Sequence, residues 1–236
     1  ATVTNTKSSP ISVKELNTLV LKTGAQAGSP SDVSIRVTAT SVSTGGTISK
    51  VSDLVTFNVT PYEMLSYLYV PGAYQGWSID TANTLVSSTS NGVYFGFIDF
   101  TAGNLEFKVT PARAWDNSYG TNDNTNLLYN DGGNLSATSV GYQKLTVNIN
   151  NLTFSLAPYA MGLVGDATIN GWNGPDVAMT WDDASLSWTA TTTLAVGSMK
   201  FRVNNAWDEN YGGTNGSASA GGSNISITET GPSRLT

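Results

Sequence analysis

The amino-acid sequence predicts an all-β protein made of tandem β-sandwich domains. Short runs of alternating apolar and polar residues recur along the 236-residue chain, and Gly, Asn, Asp or Pro bounds each run. Many short strands with turn residues between them are typical of sandwiches rather than of a parallel α/β sheet. A long internal repeat adds that one such domain is present twice. The clearest strands are expected at 33–37, 54–59, 94–100 and 145–149.

One short helix is expected near the N-terminus, over residues 12–20. Ser12 is a favourable N-cap residue, and Glu15, three positions later, completes a capping box. Apolar residues follow at positions 13, 16, 19 and 20, which places them on one helical face.

Two segments of the chain repeat one another. Gly76-Trp77 and Gly171-Trp172 lie 95 positions apart, and each pair follows Pro-Tyr and an apolar run. A second block, Phe-Lys-Val followed by Trp-Asp and Tyr-Gly, covers residues 105–120 and returns at 199–212 with Arg in place of Lys. The pattern predicts two copies of one module, repeat one and repeat two, after a segment of unrelated sequence.

The repeat suggests the domain boundaries. We expect a partial N-terminal domain at 1–61, a first sandwich at 62–157 and a second at 158–236. Residues 144–146 correspond to residues 234–236, so repeat two stops within its last strand, and the first segment holds too few strands for a sandwich. Both ends of the chain are therefore expected to be incomplete.

The composition excludes several classes of site. The chain has no His and no Cys, which removes histidine-based triads, zinc sites built from imidazole or thiolate, and disulfides. The net charge is −6, so no nucleic-acid partner is expected. No apolar run is long enough to span a membrane. Neither a metal nor a cofactor is predicted.

Four tryptophans in polar, turn-rich sequence are the strongest candidates for a binding function: Trp77, Trp115, Trp172 and Trp207. An indole in such sequence either packs inward to close the end of a sandwich or contacts a ligand. We favour a ligand, and specifically a sugar, because a flat indole can cover the apolar C–H face of a pyranose ring. The other repeated aromatic residues are expected in the core or under a loop: Phe107 and Phe201, Tyr94 and Trp188, Tyr119 and Tyr211.

Basic and polar residues accompany these tryptophans in both repeats. Lys108 and Arg202 keep their type of charge, so we expect them to donate hydrogen bonds to sugar hydroxyls, with a solvated strand face as the alternative. Secondary binding candidates stand beside the second tryptophan of each repeat, where they either contact the sugar or hold the turn: Asp116, Asn117, Asp208 and Asn210.

A catalytic site is not expected. Glycoside hydrolysis normally uses two carboxylates across a cleft. Only Asp116 and Asp208 are retained at equivalent positions, since Lys200 stands where repeat one has Glu106. Residues 121–126 offer oxygen atoms of the kind that calcium prefers, but a polar loop is the favoured interpretation.

The repeated pattern of Gly-Trp, Phe-Lys/Arg-Val and Trp-Asp before Tyr-Gly resembles the starch-binding outer-membrane lipoproteins SusE and SusF of Bacteroidetes. Related modules occur beside amylase and pullulanase domains. The segments 13–17, 35–39 and 59–62 are similar to the second half of the N-terminal immunoglobulin-like domain of these proteins. The resemblance implies immunoglobulin-like sandwiches, a surface lipoprotein whose lipidated Cys this chain lacks, and work beside a SusC/SusD-like transporter pair. We also expect a monomer.

The resemblance further implies that each repeat binds sugar with an aromatic pair and a basic residue. The matching residues are Trp77, Lys108 and Trp115 in repeat one, and Trp172, Arg202 and Trp207 in repeat two. The sequence therefore predicts a non-catalytic cell-surface protein that binds a polysaccharide or oligosaccharide, with a starch-like α-glucan favoured. The alternative is a structural or protein–protein spacer whose tryptophans are loop core. Solvent exposure of the tryptophans distinguishes the two.

Overall fold

The computed structural model describes residues 11–62, 64–214 and 216–236, and strands dominate it. The all-β fold class predicted from the alternating pattern is therefore confirmed. The chain divides into two compact units, residues 1–66 with 87–91, and residues 67–86 with 92–236. Both repeats lie mainly in the second unit, and the finer domain boundaries remain a prediction. Among the described residues no helix has the length and apolarity needed to cross a membrane.

In the first unit the predicted helix is present as α1 (Val13–Lys22). The hydroxyl of Ser12 accepts a hydrogen bond from the backbone N–H of Glu15 at 3.1 Å, and the Glu15 carboxylate accepts one from the Ser12 N–H at 2.8 Å. The capping box is thus confirmed. The helix is tied to residue 62, because the buried amide of Asn17 donates to the Tyr62 carbonyl and accepts from its N–H, both at 2.9 Å.

Four strands complete the described part of this unit: β1 (Ser31–Ile35), β2 (Thr38–Ser43), β3 (Gly46–Val51) and β4 (Val55–Val59). β1 pairs antiparallel with β4, and β2 pairs antiparallel with β3. The two predicted strands of this segment are present, with β1 beginning two residues earlier than expected.

The described part of repeat one has nine strands, which lie almost entirely in the second unit: β5 (Ser66–Val70), β6 (Asn83–Ser87), β7 (Val93–Phe100), β8 (Glu106–Phe107), β9 (Tyr119–Gly120), β10 (Leu128–Tyr129), β11 (Leu135–Ser136), β12 (Gly141–Asn148) and β13 (Thr153–Pro158). The main sheet has the order β13-β12-β7-β6-β5. Short pairs, β8 with β11 and β9 with β10, lie outside it.

The core of repeat one forms around Phe107, which is fully buried as predicted. Its ring lies 5.4 Å from that of Phe100 and 6.4 Å from that of Phe154 on β13. Tyr94 and Tyr119 are also buried. Burial of large apolar side chains of this kind is the main stabilising contribution to a small sandwich.

Repeat two forms nine further strands: β14 (Met161–Val164), β15 (Val177–Ala178), β16 (Thr180–Asp182), β17 (Ser187–Leu194), β18 (Gly197–Val203), β19 (Asn210–Thr214), β20 (Ser217–Ala220), β21 (Ile225–Ile227) and β22 (Gly231–Leu235). One sheet has the order β15-β14-β18-β19-β20, with β21 also pairing with β18. The other has the order β16-β17-β22.

The two repeats pair equivalent strands in the same register. Gly96 on β7 lies opposite Leu145 on β12, and Ala190 on β17 lies opposite Leu235 on β22. These are the partners that the sequence repeat aligns.

The cores of the two repeats differ in depth. Phe201 is half-buried, whereas its counterpart Phe107 is fully buried. Phe201 borders a groove of about 460 Å³ that is also lined by Met199, Ile225 and Leu235. Trp188, predicted as core, is likewise half-buried and packs against rings outside its own sandwich.

An aromatic junction joins the repeats within the second unit. The ring of Phe97 on β7 lies 4.8 Å from Tyr159, 4.7 Å from Trp181 and 5.1 Å from Trp188. Tyr142 on β12 packs on Trp188 at 4.8 Å, and its hydroxyl accepts a hydrogen bond from the Trp181 backbone N–H at 3.2 Å. The buried indole N–H groups of Trp181 and Trp188 have no partner among the described residues. Ring packing therefore dominates this contact.

Candidate functional site

In repeat one, Trp77 and Trp115 form a pair of rings that we call shelf one. Their centroids are 6.4 Å apart and their planes are inclined by 43°. Trp115 is 48% exposed and Trp77 is partly buried. The two indoles are therefore neighbours at the protein surface, and their planes are tilted relative to one another.

A tight loop holds Trp77 in place. The residue follows a 3₁₀ turn at Ala73–Gln75 and has a positive φ of 61°, an unusual conformation for a bulky side chain. Its N–H donates to the Gly72 carbonyl at 2.8 Å, and the Gln75 amide bonds to the backbone of Ser78 at 2.6 and 2.7 Å. Backbone strain that surrounding contacts maintain is a feature of functional loops.

Arg113 connects the loops of the two indoles. Its Nη1 atom donates to the carbonyls of Asp80 at 2.7 Å and Ala82 at 2.9 Å, and its guanidinium lies 4.5 Å from the ring of Tyr69. Arg113 therefore ties the Trp115 loop to the segment that follows Trp77. Sequence reasoning missed this residue because Arg113 lies in the short insertion that has no counterpart in repeat two.

Lys108 lies beside shelf one. Its Nζ atom donates hydrogen bonds to the carbonyls of Gly132 at 3.2 Å and Gly133 at 2.9 Å. Partial burial lowers the pKa of the Lys108 ammonium. With Trp115, Asp116 and Asn130 it lines a depression of about 330 Å³. Because an ammonium has three N–H donors, one remains for a ligand in this depression.

The secondary candidates fall into two groups. Asn117 and Asn210 hold their turns: Asn117 accepts from the Asn130 amide at 2.7 Å, and Asn210 donates to the Trp207 carbonyl at 2.9 Å. Asn210 also accepts from Lys200 at 2.7 Å. Asp116 and Asp208 are exposed beside the second tryptophan of each repeat, and their contact with a ligand stays a prediction.

In repeat two, Trp172 and Trp207 form the equivalent pair, shelf two. Their ring centroids are 6.1 Å apart and their planes are inclined by 30°. Trp207 is 48% exposed, the same fraction as Trp115, and Trp172 is partly buried. The same pairing of distant tryptophans thus occurs in both repeats.

Arg202 has surroundings that its counterpart Lys108 lacks. Arg202 is only 4% exposed. Its Nε atom donates hydrogen bonds to the Asp176 carboxylate at 2.8–2.9 Å, and its Nη2 atom donates one at 2.7 Å. The guanidinium carbon lies 4.7 Å from the centre of the Trp207 ring. The alternative of a solvated strand face is wrong for Arg202, because its side chain is buried against an acidic partner. A direct bond from Arg202 to sugar remains a prediction.

Asp176 is a further residue that sequence reasoning missed. Its own N–H donates to the Asn205 side chain at 2.7 Å, which orients the carboxylate toward Arg202. Only a weak signal was available, an acidic residue shortly after Trp172 in a chain with 12% charged residues. The pairing depends on tertiary contacts between segments 26 positions apart.

In the polar loop at 121–126, the carboxylate of Asp123 accepts hydrogen bonds from within the loop. Asp123 accepts hydrogen bonds from the backbone of Thr125 at 2.9 Å and of Asn126 at 2.8 Å, and from the Asn126 amide at 2.7 Å. These bonds hold the pKa of the Asp123 carboxyl well below its usual range. Among the described residues, no group of three or more acidic side chains is placed to hold a metal ion.

Repeat one has a recognisable relative. Residues 69–152 match the family model of the pullulanase X25 domain. The match includes Trp77, Lys108 and Trp115. Repeat one is therefore similar to this domain, as the resemblance noted in its sequence predicts, and we refer to it as the X25-like repeat.

The chain also has a distant likeness to a solved structure. The crystal structure of SusF from Bacteroides thetaiotaomicron is 18% identical, with a TM-score of 0.34. The likeness covers 94% of this chain and 58% of SusF, so the chain spans less than two thirds of that protein. No curated protein matches the chain.

Proposed function

We propose that the chain binds a polysaccharide or oligosaccharide, without catalysis, on shelf one and shelf two. The observation that carries this proposal is the pair of neighbouring, partly exposed indoles at 6.4 Å in one repeat and 6.1 Å in the other. Exposed indoles paired in this way on a β scaffold offer two adjacent apolar plates at a low cost in conformational entropy. Each plate suits the C–H face of one sugar ring.

The inclination of the indoles favours a curved chain. Two sugar rings that stack on indole planes inclined by 43° or 30° are turned relative to one another, as successive sugar rings are in a starch-like α-glucan. The X25 match supports the same class, since the family is named for an enzyme of the α-glucan pullulan. A starch-like α-glucan is therefore the ligand that we favour.

The biological setting that we propose rests on the resemblance of the sequence to SusE and SusF. In this proposal the protein is displayed at the outer-membrane surface as a monomer and retains glycan for a SusC/SusD-like uptake system. Two tethered sites on one long glycan raise the effective concentration of the second contact, which strengthens retention by weak sites.

Affinity electrophoresis through gels that contain starch, dextran, levan or xylan tests the proposal. We expect starch to retard the native chain, Trp115→Ala and Trp207→Ala to reduce the retardation, and the double variant to abolish it. Tyr62→Ala is the matched control, because it removes an exposed aromatic side chain outside both shelves.

Three outcomes contradict the proposal. Native protein that no polysaccharide retards leaves the spacer alternative in place. Retardation that the double variant retains shows binding elsewhere on the surface. Release of reducing sugar from starch by the pure protein contradicts the absence of catalysis.

A further inference from the structure

The two shelves share their tryptophans but differ in how the adjacent cation is held. In the X25-like repeat, Lys108 rests on two backbone carbonyls, and no carboxylate pairs with it among the described residues. In repeat two, Arg202 and Asp176 form a salt bridge of 2.7 Å whose side chains are 5% and 3% exposed. One cation is therefore reachable by a ligand, whereas the other is paired with a carboxylate and covered.

The buried pair of Arg202 and Asp176 positions the indole of Trp207. The Nε and Nη2 atoms of Arg202 form one edge of its planar guanidinium. The Asp176 carboxylate accepts hydrogen bonds along this edge, which fixes the plane of the group. That plane lies against Trp207, with the guanidinium carbon 4.7 Å from the ring centre. A guanidinium packed on an indole face stabilises the ring position through cation–π attraction. Asp176 thus acts on Trp207 through Arg202.

Lys108 has the opposite character. Its ammonium keeps a donor beyond the two carbonyl bonds and faces the depression that Trp115 borders. A ligand hydroxyl in this depression receives a charge-assisted hydrogen bond, which is stronger than a bond between neutral groups.

On the basis of the proposed function, we propose that the two shelves recognise glycan by different chemistry. Shelf one requires hydroxyl groups that accept a bond from Lys108. Shelf two, in place of the bond from Arg202 to sugar that the sequence predicts, binds by stacking alone, with Asp176 and Arg202 as positioning residues for Trp207. Shelf two therefore accepts glycans with modified hydroxyls that shelf one rejects.

The test isolates each shelf in the full chain. Trp207→Ala leaves shelf one, and Trp115→Ala leaves shelf two. Each variant is titrated calorimetrically with maltoheptaose before and after replacement of its cation. In the shelf-one background, Lys108→Met is expected to weaken binding about tenfold or more, the usual effect of losing a charged hydrogen bond.

In the shelf-two background, both members of the buried pair are replaced together, as Asp176→Leu with Arg202→Met. Replacing a buried ion pair by apolar residues of similar volume is often close to neutral. We expect the affinity for maltoheptaose to fall by no more than about threefold, because Trp207 loses the guanidinium that positions it while stacking on the indoles persists. A tenfold loss in a variant with native melting behaviour overturns the inference, because Arg202 then donates to the sugar.

A second measurement leaves the buried pair intact, so it tests the inference even if the double variant does not fold. The two single-shelf variants are titrated with β-cyclodextrin and with its 2,3-di-O-methyl derivative. We expect methylation to weaken shelf one about tenfold and shelf two less than about threefold. Equal losses, or a larger loss at shelf two, contradict the inference.

Failure of the proposed function has a separate signature. In that case neither single-shelf variant nor the native chain binds maltoheptaose or β-cyclodextrin. Binding with equal dependence on Lys108 and on the Asp176–Arg202 pair instead overturns only the difference between the shelves.

Discussion

Asp183 in repeat two holds Thr84 in the X25-like repeat with both oxygens of its carboxylate. Oδ1 accepts a hydrogen bond from the Thr84 N–H and Oδ2 accepts one from its hydroxyl, each at 2.8 Å. Thr84 is buried, so these bonds satisfy groups that water reaches poorly. The contact joins residues 99 positions apart and makes the two repeats depend on one another for stability.

Asp183→Ala is expected to lower the free energy of unfolding of the second unit. It leaves two donors of a buried residue without a partner, which costs about 1–3 kcal/mol. Urea unfolding followed by tryptophan fluorescence measures the change. Asp80→Ala is the control, because Asp80 is exposed and only its carbonyl accepts a hydrogen bond from Arg113. Equal effects of the two substitutions contradict the role of Asp183.

Phe97→Ala is expected to destabilise the aromatic junction more strongly. The ring packs within 5.1 Å of three other rings, and removal of a buried phenyl group costs about 3–5 kcal/mol. Scanning calorimetry measures the effect. Phe95→Ala, two positions along the same strand and exposed, is the matched control and is expected to change stability far less. A Phe97 variant that melts like the native chain argues against a packed junction.

Arg113→Ala is expected to weaken binding at shelf one by a few-fold while leaving shelf two unchanged. The substitution removes the hydrogen bonds that tie the Trp115 loop to the segment after Trp77, and so lowers the preorganisation of the indole pair. Titration of single-shelf variants with maltoheptaose measures the change. Arg36→Ala in the first unit is the control. Equal losses at both shelves show an effect that does not act through the Trp115 loop.

Binding at shelf one is expected to weaken at alkaline pH. Burial lowers the pKa of the Lys108 ammonium, so the charged donor is lost as the pH rises through that lowered value, before an ordinary lysine loses its proton. Titrations of Trp207→Ala and Trp115→Ala between neutral and alkaline pH compare the shelves. A parallel decline at both contradicts the prediction.

Glu209→Gln is expected to change the acid sensitivity of the second unit. The hydroxyls of Tyr159 and Tyr211 each donate to the Glu209 carboxylate at 2.6 Å and hold its pKa below the usual 4.5. A carboxyl whose pKa is lowered by folding contributes stability above its unfolded pKa and loses it as the pH falls through the folded pKa.

Urea unfolding at a series of pH values below neutrality measures that contribution as the difference between the native chain and the variant. The difference is expected to shrink on acidification, because the native carboxylate becomes protonated. Tyr142→Phe controls for the loss of a phenol hydrogen bond elsewhere in the unit, because the Tyr142 hydroxyl accepts from the Trp181 backbone N–H. A difference that is independent of pH shows that the carboxylate charge at residue 209 is not what stabilises this contact.

Local signals in the sequence predicted much of the secondary structure. The capping box at Ser12 and Glu15 specifies where the helix begins, because its groups lie within one turn. Alternation predicted β7 and β12, since a sheet with one buried face imposes a period of two. The repeat aligned Leu145 with Leu235, and equivalent partners in the two sheets followed.

These local patterns did not predict contacts between distant segments of the chain. The burial of Arg202 depends on Asp176, and the place of Trp188 depends on Phe97 from the other repeat. Neither partner is marked by spacing or periodicity. The sequence alone determined the all-β class, the repeated module and the candidate tryptophans, because these depend on local pattern. Only the tertiary structure decided that Arg202 is covered while Lys108 stays reachable, because those properties arise from loops that meet in space.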